Sequence, residues 1–244
     1  MLENIDLTKV LFLDIETVPM RATFGELDET FQELWKHKSK SILKKYDEAI
    51  SHEEAAQVFD RAGIFAEFGK IICISVGFLT RHRETGDWQL RLKSFADDDE
   101  AKLLGEFSQL IGRHFTAICG HNIKEFDVPY ICRRLLVNQL PLPTLINIAG
   151  KKPWETKQLL DTLEYWKFGD NKAYTSLKLL AAVLGFPSPK DDIDGSEVAG
   201  VYWEENDLPR IARYCEKDVA ATVQLVLRLM RMPILAASQI TSVS

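Results

Sequence analysis

Apolar positions along the chain fall into short continuous or alternating runs, separated by longer stretches of helical period. The first run, Val10-Leu11-Phe12-Leu13-Asp14-Ile15-Glu16-Thr17, ends in two carboxylates. Alternate side chains of a strand share a face. Leu11, Leu13 and Ile15 therefore face one side, and Val10 and Phe12 the other. A strand apolar on both faces belongs inside a sheet. Asp14 and Glu16 then project together from its end, and Pro19 stops the run. Residues 70–79 carry the strongest strand signal, 81–87 form a polar turn with Gly86, and 88–95 alternate like a half-buried edge strand. Residues 70–79 and 88–95 thus read as a hairpin. Residues 115–119 and 159–162 are two further short strands.

The stretches of helical period lie between and after these strands. Residues 30–46 carry Phe31, Leu34, Trp35, Ile42 and Leu43 among many charges, and Ser51-His52-Glu53-Glu54 is a capping box ahead of 55–61. Residues 98–113 form an amphipathic helix bearing Leu103, Leu104, Phe107, Leu110 and Ile111. Another helix opens near Asp127. Thr175 or Ser176 caps one that runs to Leu184, with Gly185 past its end. Residues 208–230 place Ile211, Cys215, Val219, Val223, Leu227 and Met230 at helical spacing. Residues 139–158 and 187–200 read as loops, and the tail from Pro233 as weakly ordered. The pattern is α/β. With no internal repeat or low-complexity linker, it predicts one domain over 1–232, a helical insertion at 21–68 after the first strand, and a tail at 233–244.

With 244 residues, 46% of them hydrophobic, the chain can bury a full core. A net charge of −6 argues against coating nucleic acid by bulk charge. It leaves room for an enzyme that grips a few phosphates through metal ions and a local basic patch. The densest positive run is Lys36, Lys38, Lys40, Lys44 and Lys45 with His37. It is either a solvated helix face or a flap that tracks phosphates, with Trp35 as a stacking surface. Cys73, Cys119, Cys132 and Cys215 show no metal-ligand spacing, so packed free thiols and a reducing, cytoplasmic setting are expected. The N-terminus lacks the pattern of a signal peptide. No apolar run approaches the ~20 residues of a membrane span. Asp191, Asp192 and Asp194 beside Gly195 faintly suggest a calcium loop, but Val201 stands where its last acid is needed, and a solvated loop is the better reading.

Candidate chemistry gathers in three stretches. Asp14 and Glu16 could be acids that have simply reached solvent. Asp127, in His121-Asn122-Ile123-Lys124-Glu125-Phe126-Asp127, could be no more than a helix N-cap. Yet that stretch sits where a strand delivers the chain into a helix, the place where α/β folds build sites. Tyr214 and Asp218 are four apart on one helix face that includes Ile211 and Thr222, while Glu216 and Lys217 look solvated. If the three stretches converge, four carboxylates cannot all stay ionised without cations. An all-oxygen ligand set suits Mg²⁺ or Mn²⁺ rather than zinc. Two such ions ~4 Å apart would clamp a phosphodiester.

Asp14-Ile15-Glu16-Thr17, then Asn122 with Phe126-Asp127 and Pro129-Tyr130-Ile131, then Tyr214-Cys215 with Asp218, resemble the three exonuclease motifs of the DEDD superfamily. The tyrosine four residues before the last aspartate marks the DEDDy branch, and the wording is most similar to the proofreading domain of family-B DNA polymerases. The resemblance spans residues 10 to 230 in order and says little about 21–68. It implies a ribonuclease H-like fold, a mixed five-stranded sheet flanked by helices. It also implies metal-dependent 3′–5′ removal of nucleotides from single-stranded DNA or RNA ends. On the same basis Asp14 would bridge both ions, Glu16 and Asp218 would hold the one that activates water, and Asp127 the other. Tyr214 would orient the water, since a phenol of pKa ~10 is a poor base at neutral pH. Asn122, Phe126 and Thr17 would touch the terminal nucleotides, and His121 reads as structural. The rival readings are a catalytically idle nucleic-acid-binding relative and an endonuclease on the same fold.

Overall fold

The computed structural model describes residues 5–112, 114–170, 174–188 and 192–243. The chain begins with β1 (Val10–Pro19). The insertion follows, with α1 (Glu29–Leu43) and α2 (His52–Gln57), the latter opened by the expected Ser51–Glu54 capping box. The hairpin is β2 (Gly69–Arg81) and β3 (Trp88–Ala96). Next come α3 (Glu100–Ile111), β4 (Ala117–Gly120) and α4 (Asp127–Val137). Strand β5 (Leu159–Asp161) runs straight into α5 (Thr162–Lys167), followed by α6 (Leu177–Leu184) and the short α7 (Val198–Gly200). The long α8 (Leu208–Leu229) and β6 (Ile240–Ser242) close the chain. Among the described residues, no helix is long and apolar enough to cross a membrane.

The sheet order is β5-β4-β1-β2-β3-β6. Strand β1 is central, antiparallel to β2 and parallel to β4. Its alternation sorts as expected. Leu11, Leu13 and Ile15 pack with α3 and α4, while Val10 and Phe12 pack with Val219, Val223 and Leu227 of α8. Helix α8 lies so close to β2 that a Cβ on Gly77 would come within 2.9 Å of Val219. This is the helix-flanked, mixed α/β sheet that the resemblance implies, with six strands in place of five.

The sixth strand corrects two expectations. The tail is not loose, and β3 is not an edge, because β6 pairs in parallel with β3. The buried side chain of Gln224 accepts from the Leu235 amide and donates to the Leu235 carbonyl, both at 2.9 Å, which pins the tail before it reaches the sheet. Of the acids that faintly suggest a calcium loop, Asp191 lies outside the described residues, and Asp192 pairs with Arg210 at 2.8 and 2.9 Å. Arg113, Pro189, Lys190 and Ser244, which fell in expected elements, also lie outside them.

The insertion has its own small core. Trp35 is not a stacking surface but is fully buried in it. Its ring stands edge-on to Phe59 and Phe68, with centroids 5.5 and 5.1 Å away, and its Nε1 donates to the Ala55 carbonyl at 2.9 Å. The lysine run is partly neutralised where it stands. Lys36 pairs with Glu33, Lys45 with Glu54 and Glu48, and Lys38 lies over the Phe65 ring.

One buried ion pair joins insertion, sheet and helices. Arg134 of α4 grips Glu100 of α3 through two bonds of 2.9 and 2.6 Å. Glu100 also accepts from the Ile71 amide of β2 and from Asn138, and Arg134 donates to the Ala66 carbonyl at the end of the insertion. Removing one partner of such a pair strands the other charge in the core. Arg134→Met is therefore expected to lower the unfolding free energy by about 3–5 kcal/mol. Chemical denaturation checks this, and a loss near zero would show that the clamp carries no weight.

Candidate active site

The three motif stretches meet at one end of the sheet. Asp14 and Glu16 lie opposite Ser75 and Cys73 of β2, and the pairing register shifts between Glu16 and Thr17. Such a bulge re-aims side chains at the end of a strand. The apolar stripe of α8 sets Cys215 down on β1, with its Sγ 3.4 Å from Asp14 Oδ2 and 3.5 Å from the Asp14 carbonyl. Ligand atoms of Asp14, Glu16 and Cys215 all lie within 4.8 Å of one another. Tyr214 and Asp218 flank Cys215 one turn apart on the helix, close enough for the Asp218 charge to act on the phenol. Tyr214 is buried, which rules out a surface tyrosine.

Asp127 arrives from the strand-to-helix connection. Gly120 is needed there because a Cβ would sit 2.9 Å from the Leu13 carbonyl. Asn122 adopts φ 67°, a left-handed conformation that asparagine tolerates better than most residues. Asp161 fixes the turn, accepting from the amides of Asn122 and Lys124 at 3.0 and 3.1 Å while capping α5 through Leu163 at 2.9 Å. His121 is structural, bonded to Thr162 and to the Thr175 carbonyl at 2.9 Å each. Asp127 itself ends up 4% exposed at the start of α4.

The electrostatics show that the acids converge. Burial holds the Asp14 carboxyl well above the usual range, and the charges of Asp218, Asp127 and Glu16 add to the effect. Asp127 is pushed up to about 7 by burial, with Asp161 and Asp218 adding to it and backbone hydrogen bonds opposing. The Tyr214 phenol is driven upward by burial and then by the charges of Asp218, Glu16 and Asp14. The mutual repulsion of the carboxylates is the part that a cation among them would relieve.

A groove of about 440 Å³ opens beside these acids. Glu16, Thr17 and Phe126 line one side, and Arg61 and Ile64 of the insertion line another. Thr17 donates its hydroxyl to the Gly63 carbonyl at 2.8 Å, and Tyr130 donates to the same oxygen at 2.8 Å. The insertion is thereby fastened to the first two motifs. Phe126 keeps an exposed part in the groove and rests its ring 5.4 Å from that of Tyr130.

Sequence reasoning missed five contributors. Cys215 reads only as a packed thiol, and it is a free, buried thiol, but it also abuts Asp14. Asp161 carries a local signal, an aspartate directly before a helix, that marks its cap but not its grip on Asn122. Arg61 and Ile64 carry no local signal for the groove. Glu216 is not simply solvated, since it accepts from Ser94 and Ser242 at 3.0 and 2.9 Å and so joins α8 to β3 and β6.

A family model described as a predicted 3′–5′ exonuclease related to the exonuclease domain of PolB matches residues 64–238. No curated protein matches the sequence. Among solved structures, the family B DNA polymerase from the hyperthermophilic archaeon Pyrobaculum calidifontis shares the fold, with a TM-score of 0.52 and 16% identity. The match covers 91% of this chain and 24% of that polymerase.

The raised carboxyl of Asp127 has a consequence for stability. Below pH 3.8 it is protonated whether the chain is folded or not. As pH rises from there to about 7, the unfolded chain gives up the proton while the folded chain retains it, so stability falls across that window. In metal-free buffer, Asp127→Asn is expected to melt higher than wild type at pH 8, with the gap closing as pH falls toward 4. Equal melting temperatures at pH 8 would contradict this.

Proposed function

The chain belongs to the family of predicted 3′–5′ exonucleases related to the exonuclease domain of PolB, and on that premise we propose that it removes nucleotides from single-stranded DNA or RNA 3′ ends by metal-dependent hydrolysis. The observation that carries this reading is the convergence of Asp14, Glu16, Asp127 and Asp218 from three elements, each acid near enough to affect another's ionisation. An oxygen-rich donor set of buried carboxyl groups that raise one another's pKa fits a site for hard divalent ions. Two such ions, Mg²⁺ or Mn²⁺, held by these four acids, would supply water activation and charge neutralisation at the phosphodiester.

The chain's own residues would perform the remaining tasks. The Tyr214 hydroxyl, one helical turn from Asp218 and under its charge, would orient the attacking water. Its upward shift keeps it a phenol at neutral pH, so it positions the water rather than accepting a proton from it. Phe126 offers an apolar face to the terminal base, and Asn122 a polar side chain at the same turn. Thr17 supports the groove wall through Gly63 and itself lines the groove, where it would meet the terminal nucleotide as the resemblance implies. The free thiols support the expectation of a reducing, cytoplasmic setting.

The test uses matched DNA and RNA single strands labelled at the 5′ end, with Mg²⁺ or Mn²⁺. The expected product is a ladder shortening from the 3′ end, abolished in folded Asp14→Ala. Tyr214→Phe should slow turnover by about 10- to 100-fold, the cost of a misplaced nucleophile. A single internal cut, or full activity in Asp14→Ala, would overturn the reading.

A further inference from the structure

A second groove, also of about 440 Å³, lies beside the first and is walled by Phe24 and Gly25, by Phe59, and by Trp203 after α7. Asp60, Ser196 and Ala199 stand in the walls of both grooves, so the two adjoin. The Trp203 indole is held in place, its Nε1 donating to the Pro19 carbonyl at 3.3 Å and its ring edge-on to Tyr202 with centroids 4.8 Å apart. Asp60 and Glu204 give this groove acceptors and negative charge. Phosphate is disfavoured there, while the apolar face and donor edge of a base are suited to it. Arg61, the cation that lines the first groove, follows Asp60 of the shared wall in the chain and is the group that would meet a linking phosphate.

We propose that the insertion builds a second nucleoside subsite, which takes the penultimate nucleoside of a single strand whose terminal nucleotide occupies the groove of Glu16 and Phe126. This rests on the proposed exonuclease reading. Phe24, Gly25 and Phe59 all precede residue 64, where the family match begins, so this wall belongs to the part of the chain that the family leaves undescribed. The insertion thus has a function that its buried tryptophan and partly paired lysines do not supply. It extends the contact from one nucleotide to two.

Gly25 gives a clean test, because a Cβ there meets nothing within 4 Å and the backbone does not require glycine. Gly25→Leu adds an apolar side chain at the groove wall without a clash at its Cβ. Two probes are compared with Mn²⁺ present: the p-nitrophenyl ester of thymidine 5′-phosphate, which needs only the first groove, and a short oligothymidylate. The ratio of oligomer KM to ester KM should rise about tenfold in Gly25→Leu, the scale of one stacked base. An unchanged ratio would overturn the subsite while leaving the exonuclease reading intact. If the wild type cleaves neither probe, that reading fails, and the subsite is then judged by binding alone. Oligothymidylate in Ca²⁺ should quench tryptophan fluorescence in the wild type and clearly less in Trp203→Phe. Equal quenching in both would overturn the proposal.

Discussion

Carboxylates brought close together repel one another, and in this chain Asp14, Glu16, Asp127 and Asp218 are brought close by three separate elements. No helix or strand would hold them there alone. Strand β1 contributes its pair at a bulge, α4 contributes Asp127 at its first turn, and α8 contributes Asp218 beside the buried Tyr214. The opposing force comes from packing and hydrogen bonds elsewhere. Arg134 and Glu100 lock α4 to α3 and β2, Gly120 lets the second motif approach Leu13, and Gly77 lets α8 sit close on the sheet. Local strain at a site, compensated by a consistent scaffold, is the usual signature of function.

The insertion belongs to the same economy of contacts. Its core of Trp35, Phe59 and Phe68 makes it a compact unit rather than a loose flap. The Gly63 carbonyl, shared by Thr17 and Tyr130, fastens that unit to both of the first two motifs. The fastening places Arg61 and Ile64 across the groove from Phe126. A segment that the polymerase resemblance leaves unexplained thereby becomes one wall of the cleft.

What could be read from the sequence was whatever depends on neighbours in the chain. Apolar alternation assigned the faces of β1, the helical stripe placed α8, and Ser51 with Glu54 marked the start of α2. Tyr214 and Asp218 could be paired because four residues make one helical turn. What could not be read depends on partners far along the chain. Leu235 is anchored by Gln224, Gln239 donates to the Trp88 carbonyl and Ser242 to Glu216, and together these let β6 cover β3. Trp35 reads as exposed among lysines until Ala55, Phe59 and Phe68 are seen around it. Cys215 has no signature as a neighbour of Asp14, because the contact bridges 201 positions.

The central claim is that the clustered acids form a cation site whose protons are held only in default of metal. Calorimetric titration of Mn²⁺ into chelator-stripped protein near pH 7, repeated in buffers of different ionisation enthalpy, tests this most directly. The account predicts binding that releases about one proton or more per protein, because the carboxyl groups must ionise to accept the ion. It also predicts that Asp14→Asn abolishes most of that binding. Absence of binding, or binding with no proton released, would contradict it.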